Sequence, residues 1–380
     1  MKKIVLVLLV VVGVGLIGVG AWWIFSHTSK SLITQDKPLQ ELQEIGRKQP
    51  QRADSVIFST PTGVQLMSVN SGEVASLAGS FDKLLDPVQQ MTQSADGNFW
   101  IIMTQAAETQ KRHWYLVNWQ KDTLQRLDES LEKMIGNADK TVSQVVIGEN
   151  AMAVLRITDK TQSAETTDTT EYALATLALD SLKYQNFGTV TTQSLKILGY
   201  DAAQNEVIFT HITAETQKIS GKRFNSNQNY DLIDTAEVQF MGPRQKVVRM
   251  AGDTYELASI SSQTPIATLL PKSGHSFEPT IVWSADGKVF ATIQYSNTAI
   301  TEKIITFYSD TGVELYALTL PGSQAIHFSP SGEAAAIIST RADETGHSEA
   351  STSYHFIKIY EGTSQVFSNI PTGSQLLGVL

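Results

Sequence analysis

The last residues of the chain repeat a pattern that also occurs in its interior, and this repeat constrains the fold more than any other feature. Residues 373–380 read Gly-Ser-Gln-Leu-Leu-Gly-Val-Leu, and similar segments stand at 143–146 and 322–326. Each interior copy leads into a short apolar strand, a tight turn and a second apolar strand. The chain is therefore expected to end on the first strand of a further repeat.

A lone strand at this position would leave a row of unpaired backbone groups, unless it completes a partial unit elsewhere. Residues 55–77 contain such a partial unit, because they hold three predicted strands, Val56–Thr60, Val64–Val69 and Val74–Leu77. Pairing of 376–380 with 56–60 would supply the missing innermost strand and close a ring. The sequence thus predicts an all-β fold, a β-propeller.

The clearest repeat unit lies between residues 281 and 318. Its four predicted strands are Ile281–Trp283, Val289–Ile293, Ile304–Tyr308 and Val313–Leu318. Four antiparallel strands in about 40 residues form one propeller blade. The Asp-Gly pairs in the turns fit a hairpin that needs positive φ, which glycine adopts freely and aspartate tolerates.

Two turns carry a resemblance to a known repeat class. The passage 283–288, Trp-Ser-Ala-Asp-Gly-Lys, and the passage 328–332, Phe-Ser-Pro-Ser-Gly, resemble the WD-like repeats of TolB-type propellers. The resemblance implies a propeller over most of residues 55–380. It does not specify a function, because this repeat class occurs in scaffolds, in binding proteins and in the non-catalytic domains of peptidases.

The number of blades depends on one long stretch. The residues from Ser194 to the unit at Ile281 are too many for one plain blade and too few for two. We interpret them as one blade with an insertion from His211 to Arg249, which predicts six blades. The alternative is seven blades, if the insertion contains further strands.

The N-terminal residues predict a membrane anchor. Lys2 and Lys3 precede an uncharged run, residues 4–25, that exceeds the roughly 20 residues a helix needs to cross a bilayer. The lysines orient the following domain away from the cytoplasm, and Trp22-Trp23 suit an interface. The predicted segments are an anchor (1–31), a juxtamembrane stalk (32–54) and the propeller (55–380). The alternative is a secreted protein, cleaved near Ala21.

Composition excludes several classes of protein. The net charge of −9 argues against nucleic-acid binding, which requires a concentrated basic surface. The absence of cysteine excludes disulfides, thiolate metal sites and a cysteine nucleophile. The pattern Gly-Val-Gly-Leu-Ile-Gly at 13–18 lies inside the apolar run without a preceding strand, so it does not indicate a dinucleotide site. No cofactor or metal site is predicted.

The sequence favours a binding or scaffold module that is not an enzyme. The loops between second and third strands are predicted to be long and to share one face, and loops on a rigid scaffold commonly bind partners. The insertion adds basic and aromatic residues of the kind found at interfaces. These candidate partner-binding residues are Lys218, Lys222, Arg223, Phe224, Tyr230, Arg244, Lys246 and Arg249. The predicted partner is a protein or an anionic cell-envelope polymer.

An enzymatic alternative remains open at this point. The chain contains no nucleophile elbow, zinc-protease helix, phosphate loop or calcium-loop spacing. A hydrolase or lyase site in the central channel of a propeller would draw single residues from separate blades and would leave no local motif. His327 is predicted to lie beside this channel, as a hydrogen-bonded residue rather than a catalytic one.

Overall fold

A computed structural model describes the chain from residue 54 to residue 380, with gaps. The residues outside this description within that range are 61–62, 77–83, 85, 107, 119–120, 122, 160–168, 214–215, 227, 235–237, 242–245, 261–263, 299–301, 342–350, 368–369 and 371–373. The predicted anchor and nearly all of the predicted stalk also lie outside it. Among the described residues, no helix has the length and apolar character needed to cross a bilayer.

The domain is an all-β propeller of seven blades, each a sheet of four antiparallel strands. Blades are numbered along the chain, and the strands of each blade are lettered A to D. Several neighbouring A strands contact one another, so strand A is innermost and strand D outermost. Blade 1 consists of A Gln375–Val379, B Ser55–Thr60, C Gly63–Ser68 and D Val74–Ser76. Blade 2 consists of A Val88–Gln93, B Phe99–Gln105, C Arg112–Asn118 and D Thr123–Arg126.

The next three blades follow the same order. Blade 3 consists of A Lys140–Ile147, B Met152–Asp159, C Thr170–Ala178 and D Tyr184–Thr192. Blade 4 consists of A Ser194–Asp201, B Glu206–Thr213, C Thr216–Arg223 and D Tyr230–Asp234. Blade 5 consists of A Val238–Met241, B Lys246–Ala251, C Thr254–Ser259 and D Pro265–Leu269.

Two further blades complete the ring. Blade 6 consists of A His275–Trp283, B Val289–Ser296, C Glu302–Ser309 and D Glu314–Pro321. Blade 7 consists of A Ser323–Phe328, B Ala334–Arg341, C Ser351–Lys358 and D Thr363–Phe367. A helix at Asp128–Ile135, named α1, connects blade 2 to blade 3, and a 3-10 helix lies at Glu149–Ala151.

The prediction of six blades is wrong, and the stretch His211–Arg249 is the reason. It is not an insertion into one blade. It contains strands C and D of blade 4 and strand A and part of strand B of blade 5. The one long B–C loop predicted here is replaced by two short B–C connections, residues 214–215 in blade 4 and 252–253 in blade 5. These strands escaped detection because polar residues alternate through them and no Asp-Gly turn separates them.

Seven clusters of buried apolar side chains hold the ring together, one between each pair of neighbouring blades. The cluster between blades 2 and 3 includes Trp114 and Leu131 of α1. The cluster between blades 7 and 1 includes Phe58, Phe356 and Leu376. Apolar burial between sheets is the main favourable contribution to folding in such a domain. The arrangement makes each blade depend on both of its neighbours.

The predicted closing strand is present and pairs with the strand that the sequence indicated. In blade 1, strand A lies antiparallel to strand B, with Val56 opposite Val379 and Phe58 opposite Leu376. The backbone N–H of Leu380 donates to the carbonyl oxygen of Ser55 at 3.0 Å. Blade 1 is therefore built from two distant segments of the chain, and this pairing closes the ring.

The A–B turns of blades 2, 6 and 7 share one hydrogen-bonding pattern. A serine Oγ accepts the N–H of the residue five positions on, at 3.0 to 3.1 Å, in the pairs Ser94 with Phe99, Ser284 with Val289 and Ser329 with Ala334. The glycine of each turn has a φ near +70°, a conformation that suits glycine. The turns of blades 6 and 7 are the two that carry the resemblance to TolB-type repeats, and the turn of blade 2 shares their geometry.

Candidate binding surface

The two faces of the ring carry different connections. One face, here called the AB face, carries the A–B and C–D turns, and the other, the BC face, carries the B–C and D–A connections. Because Lys222, Arg223, Phe224 and Tyr230 stand where strand C of blade 4 ends and strand D begins, they lie toward the AB face. Lys218 stands near the start of strand C, toward the BC face. The structure therefore divides the residues that the sequence grouped together.

The remaining predicted residues belong to blade 5. Lys246 begins strand B, toward the AB face, and Arg249 lies farther along that strand. The Arg249 guanidinium is 3.3 Å from the carboxylate of Glu256 on strand C, so it is engaged in a cross-strand ion pair. Arg244 lies outside the described residues. The surface considered below, called the blade 4 surface, consists of Lys222, Arg223, Phe224 and Tyr230.

Arg223 is exposed but is held by two neighbours. Its guanidinium carbon lies 5.2 Å from the centre of the Tyr230 ring, a cation–π distance. Its Nε is 4.0 Å from Oε2 of Glu206, the residue opposite it on strand B. Glu206 itself is buried. These contacts restrain a cationic side chain on the AB face without removing it from solvent.

Glu206, which is buried, and Tyr230, which is half-buried, form the base of this surface. Burial raises the pKa of the Glu206 carboxyl, and contacts with Tyr230 and Arg223 oppose that rise. Burial and the adjacent carboxyl raise the pKa of Tyr230 to about 12. A Cβ at Gly221 would stand 1.4 Å from Oε1 of Glu206, so the glutamate side chain occupies space that only glycine leaves open.

Phe224 provides an exposed aromatic ring next to the restrained arginine. Its ring centre is 5.7 Å from that of Phe187, which lies on strand D of blade 3 and is almost fully buried. Phe187 also makes an edge contact with Tyr200 at 6.4 Å. The exposed ring is thus supported by the buried Phe187, which in turn contacts the half-buried Tyr200. This arrangement keeps an apolar group at the surface in a defined position.

Lys222 differs from the other members of the surface because it is buried, with 3% of the residue exposed. Its ammonium donates to Oδ1 of Asn229 at 3.2 Å. Gly188 of blade 3 borders this side chain, and a Cβ there would be 3.4 Å from Cε of Lys222, an ordinary van der Waals distance. Burial lowers the pKa of Lys222, and no carboxylate among the described residues counters that effect.

Lys218 belongs to a separate polar network near the BC face. Its ammonium is 2.7 Å from Asp231, Asp231 accepts from Ser220 Oγ at 2.9 Å, and Ser220 Oγ is 2.8 Å from His211 Nε2. This order differs from a catalytic triad, in which the histidine lies between the serine and the acid. Because Ser220 is fully buried and donates its proton to Asp231, the network stabilises blade 4 and does not activate a nucleophile.

Among the described residues, no group of three His, Cys, Asp or Glu side chains is arranged to hold a metal ion. His327 lies on strand A of blade 7, and burial lowers its pKa. A cluster of charged groups lies at the junction of blades 2 and 3, where Asp128 of α1 contacts His113 at 2.6 Å and Arg126 at 2.7 Å. That cluster fixes α1 to blade 2.

Sequence reasoning missed several residues that shape the blade 4 surface. Phe187, Gly188, Glu206 and Asn229 contact the predicted residues, but the first three of them belong to blade 3 or to strand B of blade 4. Their contribution depends on how neighbouring blades meet. The one local signal in the sequence is Gly188 itself, since a glycine within a strand often marks a close approach. Its φ in the structure is +84°.

Comparisons with known proteins identify the fold but no family. No protein-family model and no curated protein matches the chain. Among solved structures, a prolyl endopeptidase is similar over 91% of this chain, with 9% identity and a TM-score of 0.53, and this chain spans 55% of the endopeptidase. An uncharacterised protein of Listeria monocytogenes EGD-e is similar over 77% of this chain and 84% of its own, with 10% identity and a TM-score of 0.48.

TolB from Acinetobacter baumannii is a further match. It is similar over 83% of this chain and 63% of its own, with 11% identity and a TM-score of 0.41. Likeness at these identities concerns the fold alone. The architecture predicted from the turns, a propeller of the TolB or WD-like kind, is confirmed.

Proposed function

We propose that the chain is a non-enzymatic binding module that holds a protein partner through the blade 4 surface. The observation that carries the proposal is that an exposed arginine and an exposed aromatic residue follow each other at the end of strand C of blade 4, each in contact with less exposed neighbours. Arg223 rests on Tyr230 beside Glu206, and Phe224 rests on Phe187. Arginine and aromatic residues that are already ordered lose little entropy on binding, which suits them as interface anchors.

The proposed location of this module is the outer side of a membrane, to which the apolar run at 4–25 tethers it. The two lysines before that run support this orientation. The partner is then another protein of the same compartment. An anionic envelope polymer is the competing ligand, and it would be attracted by Arg223 without needing Phe224.

Site-specific photo-crosslinking in the native cell tests the proposal. A benzoylphenylalanine at Phe224 is expected to yield one discrete crosslinked protein, and Arg223→Glu is expected to abolish it. The control carries the crosslinker at Val366, an apolar residue on strand D of blade 7 that is 64% exposed. Identical products at both positions, or none at Phe224, would overturn the proposal. A diffuse product that persists after Phe224→Ala would favour the polymer.

A further inference from the structure

The ammonium group of Lys222, the buried member of the blade 4 surface, has few hydrogen-bond acceptors. An ammonium group has three N–H donors. Among the described residues, Nζ of Lys222 has one hydrogen-bond acceptor, the amide oxygen of Asn229, at 3.2 Å. By contrast Lys218, on the same strand, reaches the carboxylate of Asp231 at 2.7 Å. A buried cation is ordinarily paired with an anion, because removal from water is costly.

The surroundings of Lys222 suit a small anionic group. Gly188 places backbone instead of a side chain next to Cε of the lysine, and its left-handed conformation is fixed by its N–H, which donates to Oδ1 of Asn186 at 2.7 Å. Phe224 contacts Phe187, the residue before this glycine. The ammonium therefore lies where blades 3 and 4 meet, near the exposed ring of Phe224.

From this geometry we infer that Lys222 is a carboxylate-binding site, and that the partner of the blade 4 surface presents an acidic side chain next to an apolar one. The inference rests on the proposed function, because it concerns the same surface. The carboxylate would pair with the ammonium of Lys222 while the apolar neighbour packs on Phe224. Arg223 would lie outside this pair, toward blade 5, and would contribute a second, more exposed contact.

Lysine side-chain NMR on the full chain tests the inference with acetate as the probe. In protein labelled with 13C and 15N at lysine, the Lys222 signal is assigned by its loss in Lys222→Met. Acetate at millimolar concentration is expected to shift this signal and to raise the apparent pKa of Lys222 by about 1 to 3, as an opposite charge within 4–6 Å does. Acetamide, which has the same shape without the charge, is expected to leave the signal unchanged.

The matched control is the Lys218 signal, since that lysine already has a carboxylate partner. Equal responses of Lys218 and Lys222 to acetate, or no response of Lys222 at 100-fold the protein concentration and above, would overturn the inference. Its failure is distinguishable from failure of the proposed function. If crosslinking at Phe224 requires Arg223 but Lys222 ignores acetate, the surface binds its partner without a carboxylate at this lysine. If Lys222→Met retains full crosslinking, the carboxylate site does not serve that partner.

Discussion

The junction between blades 2 and 3 and the junction between blades 4 and 5 are built very differently. Within the described residues, the first contains 14 buried apolar residues, including Phe99, Trp114 and Leu131 of α1. The second contains five, Ile208, Ile219, Val247, Ala258 and Ile260, without an aromatic ring. The described side chains of the second junction, here called the thin junction, therefore bury less apolar surface than those of the first.

The largest effect is expected when the strands on the two sides of the thin junction are removed. Replacing residues 213–247 with a short Gly-Ser linker would delete strands C and D of blade 4 and strand A of blade 5. We expect loss of cooperative melting and of most β-sheet circular dichroism, because two blades lose strands and the ring opens. A variant that melts like the native protein would show that these blades are dispensable.

Removing residues 375–380 is the next most severe change. It deletes strand A of blade 1 and takes Leu376 and Val379 out of the cluster between blades 7 and 1. We expect destabilisation by several kcal/mol, a large part of a typical stability of about 5–15 kcal/mol. Thermal melting measures the effect, and Gln375→Ala, a change at an exposed residue, is the control. A melting temperature within a few degrees of native would contradict the closure.

Two equivalent core truncations compare the junctions directly. Leu155→Ala lies in the cluster between blades 2 and 3 and Ile219→Ala in that between blades 4 and 5, and both residues are fully buried. Such truncations cost about 2–5 kcal/mol, depending on how far the site can relax. We expect Leu155→Ala near the upper end and Ile219→Ala near the lower end in urea denaturation. The reverse order would mean that the thin junction is packed more rigidly than its size indicates.

The smallest expected effect concerns Glu206, whose buried carboxyl lies beside the thin junction. The pKa of Glu206 is raised above 4.5 in the folded protein. The folded state therefore keeps the proton to higher pH than the unfolded state, and stability falls as pH rises through the folded pKa. We expect Glu206→Gln to be more stable than native at neutral pH, with the difference vanishing in acid. Glu302→Gln, at an exposed position, is the control. Parallel pH profiles for Glu206→Gln and the native protein would contradict the raised pKa.

Sequence reasoning succeeded where local chemistry determines structure. The Ser-Ala-Asp-Gly turns and the apolar strands around them predicted individual blades, and the repeat at 373–380 predicted the closing pair. It failed between 211 and 249, where Lys218, Ser220 and Lys222 alternate with small or apolar residues. These polar residues form hydrogen bonds with other residues of blade 4, and the hydrophobic periodicity of the sequence does not reveal such bonds. The contacts of Phe187 with Phe224 and of Gly188 with Lys222 were unpredictable for the same reason.

The way in which blade 1 is assembled also has a mechanical consequence. Strand B, Ser55–Thr60, is fully buried and hydrogen-bonded on both sides, to strand A on one side and to strand C on the other. Asp54, just before it, is anchored by Lys358 of blade 7 at 3.1 Å and by Asn70 at 2.8 Å. A tensile force applied at Asp54 acts along the strand and loads both ladders in shear, so many hydrogen bonds must break at once. The point where the chain enters the ring is thereby suited to bearing load, and the rate of forced unfolding would be set by this strand.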